Sequence, residues 1–349
     1  MEQEVKNIIK TSKRIFARLQ DDLSKYVFEQ RLLYSFTGNN EFIQNVIMTA
    51  DEGKRLKKLL EGTAQNYIFG AGTWGTGLAK VWNGHFDGFL DNNSEKWGGY
   101  YNTGLKIFAP DEILRSGFNG NIWIGTRLYY DEIKSQLIND YGIDESLIKN
   151  IGKVIDDMAV RQYFDLKDLP HVDKEVFLDV GCLDGMTSRR FFKWAGNCEA
   201  KTYCFEPDAK NRLKVERNLA SVINDGNASV IPYAAWDRKE TLHFQENGNG
   251  VSRIADNGVT VNASTIDDEI PESERVTFIK MDIEGAELKA LRGAKRTISQ
   301  NHPKLAISVY HKPQDIITLA DEIMRMDESY KFYLRHYSLA DGETVLFGI

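Results

Sequence analysis

The sequence predicts an α/β protein with two doubly wound domains behind an N-terminal helical segment, the second domain ending its sheet in an antiparallel hairpin. Three observations predict it. A strand-like run followed by a glycine turn and a helix start occurs twice, in "NYIFGAGTWGTGLA" (Asn66 to Ala79) and in "VFLDVGCLDG" (Val176 to Gly185). Strand-like and helix-like runs alternate from about Gln65 onward, the pattern of parallel sheets covered on both faces. The chain closes on "KFYLRHYSLADGETVLFGI", two strand-like runs around "ADGE".

A chain of 349 residues is long enough for two or three domains. Its 42% hydrophobic and 27% charged residues are ordinary for a globular protein with a sizeable core. The formal net charge of -7 and the lack of clustered cations argue against nucleic acid as a partner. The nearest candidate, "EGKRLKKLLEG", reads as the polar face of a helix. Cys182, Cys198 and Cys204 have neither the number nor the spacing of a disulfide framework or a zinc site. The N-terminus is charged and amphipathic, without a signal-peptide core, and no run approaches the ~18 apolar residues of a membrane span, so a cytoplasmic protein is expected.

Residues 1–64 carry apolar positions at helical spacing: Ile8, Ile9, Ile15, Phe16 and Leu19, then Tyr26, Phe28, Leu32, Leu33 and Phe36. "TGNNEF" interrupts this pattern and Gly62 ends it. The segment holds no chemical constellation and is expected to pack on a neighbour or a second subunit, making a homo-oligomer an open expectation. Residues 65–152 alternate "NYIFG", "TWGTGLAKVW", "FDGFLDNN", "GLKIFAPDEIL", "NIWIGT" and "LYYDEIKSQLINDYG", a small domain of about four strands. Residues 153–349 open on a link, "KVIDDMAVRQYFDLKDLPHVDKE". Strand-like runs follow at "EVFLDVG", "KTYCFEP", "ASVIPYAAW", "VTFIKMD" and "KLAISVYH".

In the larger domain, Asp179 lies near the C-terminal end of a buried parallel strand, where open α/β sheets bind ligands. Gly181 and Gly185 let the backbone turn and approach a ligand, and the next helix offers free N–H groups. About 25 residues on, "FEP" places Glu206 and Pro207 at the tip of the second strand, where an acid accepts hydrogen bonds from ribose hydroxyls. Then comes "FIKMDIEGAELKALRGA", an apolar strand, an acid-rich turn and a helix. With "FLDVGCLDG", "FEPD", "IKMDIEGAE", "LRGA" and the ending "YLRHYS…ETVLF" in this order, the chain from about Glu175 resembles FkbM-type S-adenosylmethionine-dependent methyltransferases. The resemblance implies a class I methyltransferase fold with S-adenosylmethionine over the first two strand tips. Asp179, Gly181 and Gly185 would line its methionine part, Glu206 would hold its ribose, and Ala235, Trp236 and Asp237, at the tip of the third strand, would border its adenine. Cys182 is read as a small filler rather than a nucleophile.

Methyl transfer from a sulfonium needs an acceptor held in line, and a hydroxyl acceptor also gains from a base. Asp282, Glu284 and His311 are the candidates at the right end of the sheet. Asp282 ends its strand directly, Glu284 reads equally as a site residue or a helix-dipole partner, and Glu287 reads as the latter. A divalent metal on Asp282 and Glu284 is the less favoured reading, and no ligand set is assigned. His336 is placed in the terminal hairpin and ranked below His311. The polar segment from Arg238 to Ile270, with Gly248 and Gly250, is expected to form a hairpin serving as an acceptor-binding lid.

The first glycine turn has G-x-G-x-x-G at Gly70, Gly72 and Gly75, with Asp91 about 20 residues on, a spacing that suits a ribose-binding acid. No hydride-transfer site follows it. The stretch "FGAGTWG…FLDNN…KWGG…G…IFAPDEI" resembles the small Rossmann-like domains of bacterial polysaccharide-biosynthesis proteins, which implies a nucleotide-sugar binder. The favoured reading is methylation of a sugar or glycan acceptor. The alternatives are an NAD(P)-dependent oxidoreductase using the first turn, and a non-catalytic nucleotide-sugar-binding scaffold.

Overall fold

The computed structural model describes residues 2–62, 65–100, 103–114, 117–167, 169–247, 251–254 and 259–349, and only the backbone of 244–247 and 251–254. The chain divides into two compact units. One comprises Glu29–Gln162 and His336–Gly342; the other comprises Met1–Phe28, Tyr163–Arg335 and Glu343–Ile349. These cuts fall elsewhere than positions 64 and 152.

The smaller unit holds a parallel five-stranded sheet of β1 (Asn66–Phe69), β2 (Gly88–Leu90), β3 (Ile107–Phe108), β4 (Asn121–Ile124) and β5 (Ile148–Asn150). Their order is β3-β2-β1-β4-β5, so the order reverses between β1 and β4. Tyr67, Ile68 and Phe69 pair with Gly88–Leu90 on one side and Ile122–Ile124 on the other. The sequence suggests about four strands; the fifth, "IKN", has no apolar run to announce it. The stretch after it is a helix, Ile151–Arg161, rather than a bare link, and Asn150 caps it by accepting from the Lys153 amide at 2.8 Å. Helix Asn40–Ile47 is capped in the same way by Asn39, which explains why "TGNNEF" interrupts the apolar spacing.

The larger unit is built on β6 (Lys174–Val180), β7 (Glu199–Phe205) and β8 (Ala228–Ile231). Then come β9 (Ala234–Ala235), β10 (Glu240–Asn247), β11 (Val251–Ile254), β12 (Val259–Ser264), β13 (Phe278–Met281), β14 (Lys304–Ser308), β15 (Phe332–His336) and β16 (Thr344–Gly348). Seven of them form one sheet in the order β15-β16-β14-β13-β6-β7-β8. The β8 to β14 pairings are parallel and β16 runs antiparallel to β14. Lys331 and Ile349 exchange backbone hydrogen bonds at 2.8 and 2.9 Å, closing β15 and β16 into the expected terminal hairpin.

Every residue of β13, β14 and β16 is buried, as sheets covered on both faces require. Phe177, Phe191 and Phe278 fill one side, with the Phe177 and Phe191 rings stacked at 4.6 Å. Burial of each such ring contributes about 1.5–3 kcal/mol. The edge strand β15 is not left open. Gln20 donates to the Phe332 carbonyl and Phe332 to the Arg18 carbonyl, both at 3.0 Å, while the Leu334 amide donates to Ser24 Oγ at 2.9 Å. The chain from Arg18 into the first turn of helix Asp22–Thr37 thus blunts a sheet edge.

The run "ASVIPYAAW" is not one strand. β8 ends at Ile231 before Pro232, which has no N–H to continue a ladder, and Ala234–Ala235 pair with β12 in a second sheet of order β11-β10-β12-β9. Within it β10 and β11 form a hairpin; Gly248 and Gly250 lie outside the described residues. No helix among the described residues is long and apolar enough to cross a membrane.

Candidate functional site

The order of the seven-stranded sheet reverses between β6 and β13, and the loops leaving those two strands meet there. Gly181 has φ +81, and a Cβ on it would lie 2.1 Å from the Asp282 carbonyl oxygen. The glycine is therefore required twice, for its left-handed backbone and for that close approach. Gly181→Ala is expected to cost more than the ~1–3 kcal/mol of simple overpacking, measured as a fall in Tm by calorimetry.

The second strand supplies the acid. Glu206 is buried at the tip of β7, where Oε2 accepts from the Leu183 amide and Oε1 from the Asp208 amide, both at 3.0 Å. Burial pushes its carboxyl up to about 7 against those two amides, and no cation is among the causes. Leu183 itself has φ +55 and is exposed, and Gly185, φ +79, forms the N-cap of helix Met186–Ala195. The Pro207 carbonyl accepts from Arg212 at 2.6 Å, fixing the turn after the acid. A buried carboxylate with no cation beside it, next to a left-handed turn, fits the ribose hydroxyls of the cofactor that the sequence implies.

Asp179 has a different setting. It is fully buried, with Oδ1 3.1 Å from Lys280 Nζ and Oδ2 accepting from Ser188 Oγ at 2.8 Å. Lys280 is buried too and also donates to the Gly181 carbonyl at 2.7 Å. Burial lowers the tendency of Lys280 to hold its proton, yet Asp179 and Asp282 overcome this and raise its pKa. The pair holds the glycine turn from beneath.

The tips of β13 and β14 bring together Asp282, Glu284, Glu287 and His311. Asp282 Oδ2 accepts from the Tyr163 hydroxyl at 2.8 Å, and the Tyr310 hydroxyl lies 3.2 Å from both Asp282 Oδ1 and Glu343 Oε1. His311 Nε2 is 3.5 Å from Asp282 Oδ1 and 3.8 Å from Glu284 Oε2, while Nδ1 is 3.0 Å from Glu287 Oε1. Neither ring nitrogen makes an aligned hydrogen bond. Burial alone would lower the His311 pKa, but Glu287, then Asp282 and Glu284, raise it to about 9. Glu287 is 1% exposed and its Oε1 accepts from the Ile283 amide at 2.8 Å. Asp282, Glu287 and His311 each offer one ligand-type atom, all within 4.8 Å of one another.

Among the described residues five non-glycine positions have positive φ, and four are site residues: Tyr163 (76°), Leu183 (55°), Glu284 (57°) and Glu343 (59°). Backbone held in this region costs energy and concentrates at functional sites.

Beyond the end of β8, Ala235 lies in β9 opposite Ser264, while Trp236 and Asp237 meet helix Glu287–Arg292 and the glycine that ends it. Asp237 Oδ2 accepts from Lys289 Nζ at 2.5 Å, and a Cβ on Gly293 would lie 1.9 Å from the Trp236 carbonyl oxygen. That contact explains the glycine of "LRGA". Gly293→Ala, at an ordinary helical φ of -76, isolates the steric term; about 1–3 kcal/mol of destabilisation is expected in urea unfolding.

In the smaller unit Gly70 has φ +102, and Gly72 precedes helix Thr73–Val81 with open space where its Cβ would be. A Cβ on Gly75 would lie 2.5 Å from the Gly70 carbonyl oxygen, so that glycine serves close helix–strand packing. Asp91 Oδ2 meets the Ala71 amide at 3.0 Å and Lys96 Nζ at 2.8 Å, and Oδ1 accepts from the Asn93 amide at 2.9 Å. Both strand-tip acids thus brace a glycine turn, but Asp91 already faces a cation.

Sequence reasoning did not single out Tyr163, Lys280, Ser188 or Glu343. Lys280 carried a signal, a lysine inside the apolar strand "FIKM"; the other three carried none. His336, ranked low, is buried in the smaller unit, where burial first and then Arg31 lower its pKa to about 3.

A sequence profile of the methyltransferase FkbM domain matches residues 179–334. The 2-O-methyltransferase NoeI of Sinorhizobium fredii is 26% identical over 146 residues, 36% of this chain and 59% of that relative, so the chain spans less than two thirds of its length. The crystal structure of an FkbM methyltransferase from Methylobacillus flagellatus KT shares the fold, with a TM-score of 0.52 at 18% identity over 91% of this chain and 99% of that one. The strand order, the glycine turn with its strand-tip acid and the profile match agree: the C-terminal part of this chain is an S-adenosylmethionine-dependent methyltransferase domain of the FkbM family.

Proposed function

We propose that this domain methylates a hydroxyl group of a sugar or glycan precursor. The observation that carries the reading is the convergence of Asp282, Glu284 and His311 beside the Gly181 turn, where Gly181 and Asp282 touch. The O-methylation part is supported by the 2-O-methyltransferase relative, and the sugar part by the resemblance of the smaller domain to Rossmann-like domains of polysaccharide-biosynthesis proteins. Bound S-adenosylmethionine supplies an electrophilic methyl group on a good leaving group, so holding the acceptor in line is the protein's main task. Glu206, in its ionised form, accepts from the ribose hydroxyls, and Gly181 to Gly185 let the backbone approach the methionine part. Tyr163 and Tyr310 fix the Asp282 carboxylate. Asp282 and the more exposed Glu284 take the acceptor's proton, and His311 neutralises the accumulated negative charge.

The test is transfer of a labelled methyl group from S-adenosylmethionine to a panel of nucleotide-sugars and glycans. Asp282→Asn is expected to lower single-turnover methyl transfer by about 10²–10⁴-fold while S-adenosylhomocysteine affinity stays within a few-fold. Equal transfer by the variant would remove Asp282 from the chemistry. We assign the segment from Arg238 to Ile270, which carries β10, β11 and β12, as an acceptor lid. Shortening it is expected to raise the acceptor KM with cofactor binding intact; loss of both would contradict the lid.

A further inference from the structure

We propose that Asp282, Glu287 and His311 bind one divalent first-row cation, Mn²⁺ or Zn²⁺ in class. The donors come from three places, the end of β13, the first turn of helix Glu287–Arg292 and the loop after β14. Their ligand-type atoms all fall within 4.8 Å of one another. Ligands of a single ion bonded at about 2.1 Å lie about 3–4 Å apart, so a small contraction completes the site.

The independent observation is unspent polar capacity deep in the protein. Glu287, 1% exposed, holds Oε1 against the Ile283 amide while its Oε2 accepts no hydrogen bond. The His311 side chain is 8% exposed, and its ring nitrogens, 3.0 Å from Glu287 Oε1 and 3.5 Å from Asp282 Oδ1, face carboxylates without an aligned hydrogen bond. Buried polar atoms are rarely left so, and unmet ones call for an explanation such as an ion. Around the triad, the Tyr163 and Tyr310 hydroxyls on Asp282 and the amide on Glu287 orient the ligands, as outer-shell partners of metal sites do. Two carboxylates and an imidazole form a mixed oxygen–nitrogen set that favours a first-row cation over Mg²⁺ or Ca²⁺ alone. Three protein ligands leave coordination positions open, the form of a catalytic site and not a structural one.

The role of the ion rests on the proposed hydroxyl methylation: on binding it, His311 releases its proton to solvent and the ion takes over the neutralising charge, while an open position takes the acceptor oxygen and lowers the pKa of its proton, which Glu284 then removes with Asp282 engaged on the ion. The site itself is tested without turnover. The full chain is titrated with MnCl₂ and free Mn²⁺ is read by electron paramagnetic resonance, with ZnCl₂ competition as a second arm. One Mn²⁺ per chain is expected, displaced by Zn²⁺, with affinity reduced at least tenfold in His311→Gln and in Glu287→Gln. His311→Gln carries the test should Glu287→Gln not fold, as judged by circular dichroism. Absence of Mn²⁺ and Zn²⁺ binding, or equal affinity in a folded variant, overturns the site. S-adenosylhomocysteine titrated into the same samples separates the two readings, since its binding without any cation binding defeats the metal site and leaves the methyltransferase reading standing.

Discussion

Replacing Glu206 with alanine is expected to weaken S-adenosylhomocysteine binding by at least about 100-fold in titration calorimetry. Two hydrogen bonds to a charged group are lost, each contributing about 1.5–3 kcal/mol in such settings. The variant also strands the Leu183 and Asp208 amides that Glu206 holds at 3.0 Å, so Tm falls as well. Glu206→Gln keeps the shape and one acceptor and is expected to lie between the two. A pH series adds a signature that a structural role would not produce. The carboxyl sits at about 7, raised from 4.5, so the ionised form that accepts from ribose is depleted as pH falls through 7. Cofactor affinity should fall with it in the wild type and stay flat in Glu206→Gln. Stability runs the other way. A raised carboxyl favours the folded state fully below 4.5, and that contribution is lost as pH rises through about 7, so Tm should decline more between pH 5 and 8 in the wild type than in Glu206→Gln. An unchanged affinity in Glu206→Ala would remove this residue from the cofactor site.

The largest stability effect is expected at Lys280. Lys280→Ala leaves the fully buried Asp179 carboxylate without its ammonium and the Gly181 carbonyl without its 2.7 Å donor. Breaking a buried pair in this way costs about 3–5 kcal/mol, whereas replacing both partners by apolar groups is often neutral. Asp179→Leu with Lys280→Met is therefore expected to recover much of the Tm lost in Lys280→Ala. The single variant is also expected to lose cofactor binding, because the pair supports the turn that Gly181 begins. A Lys280→Ala protein with wild-type Tm would contradict this account.

What was legible in the sequence was what lies contiguous in it. Glu206 follows an apolar run and precedes Pro207, and "MDIEGAE" follows another, so both strand tips announce themselves within a few residues. The partners of Asp282 do not. Tyr163 stands 119 residues before it in a stretch read as a link, and its hydroxyl reaches the carboxylate only through the fold. Glu343 lies in the loop between the last two strands, with nothing local to mark it. Asp179 was legible as a strand-tip acid, but its burial against Lys280 depends on a neighbouring strand that sequence order conceals. The edge of β15 is covered by Arg18 to Ser24, a pairing across more than 300 residues that no periodicity could reveal. β9 was misplaced because an apolar run across Pro232 looks continuous in sequence and is not in hydrogen bonding. The two glycine turns looked alike for a physical reason, since each is braced by a strand-tip acid; Lys96 on Asp91 is what separates them.

The most direct test of the central claim is calorimetric titration of the full chain, in parallel, with S-adenosylhomocysteine and with NADH. The account predicts micromolar binding of S-adenosylhomocysteine that is abolished in Glu206→Ala, and no comparable binding of NADH. Tight binding of NADH with none of S-adenosylhomocysteine would contradict it.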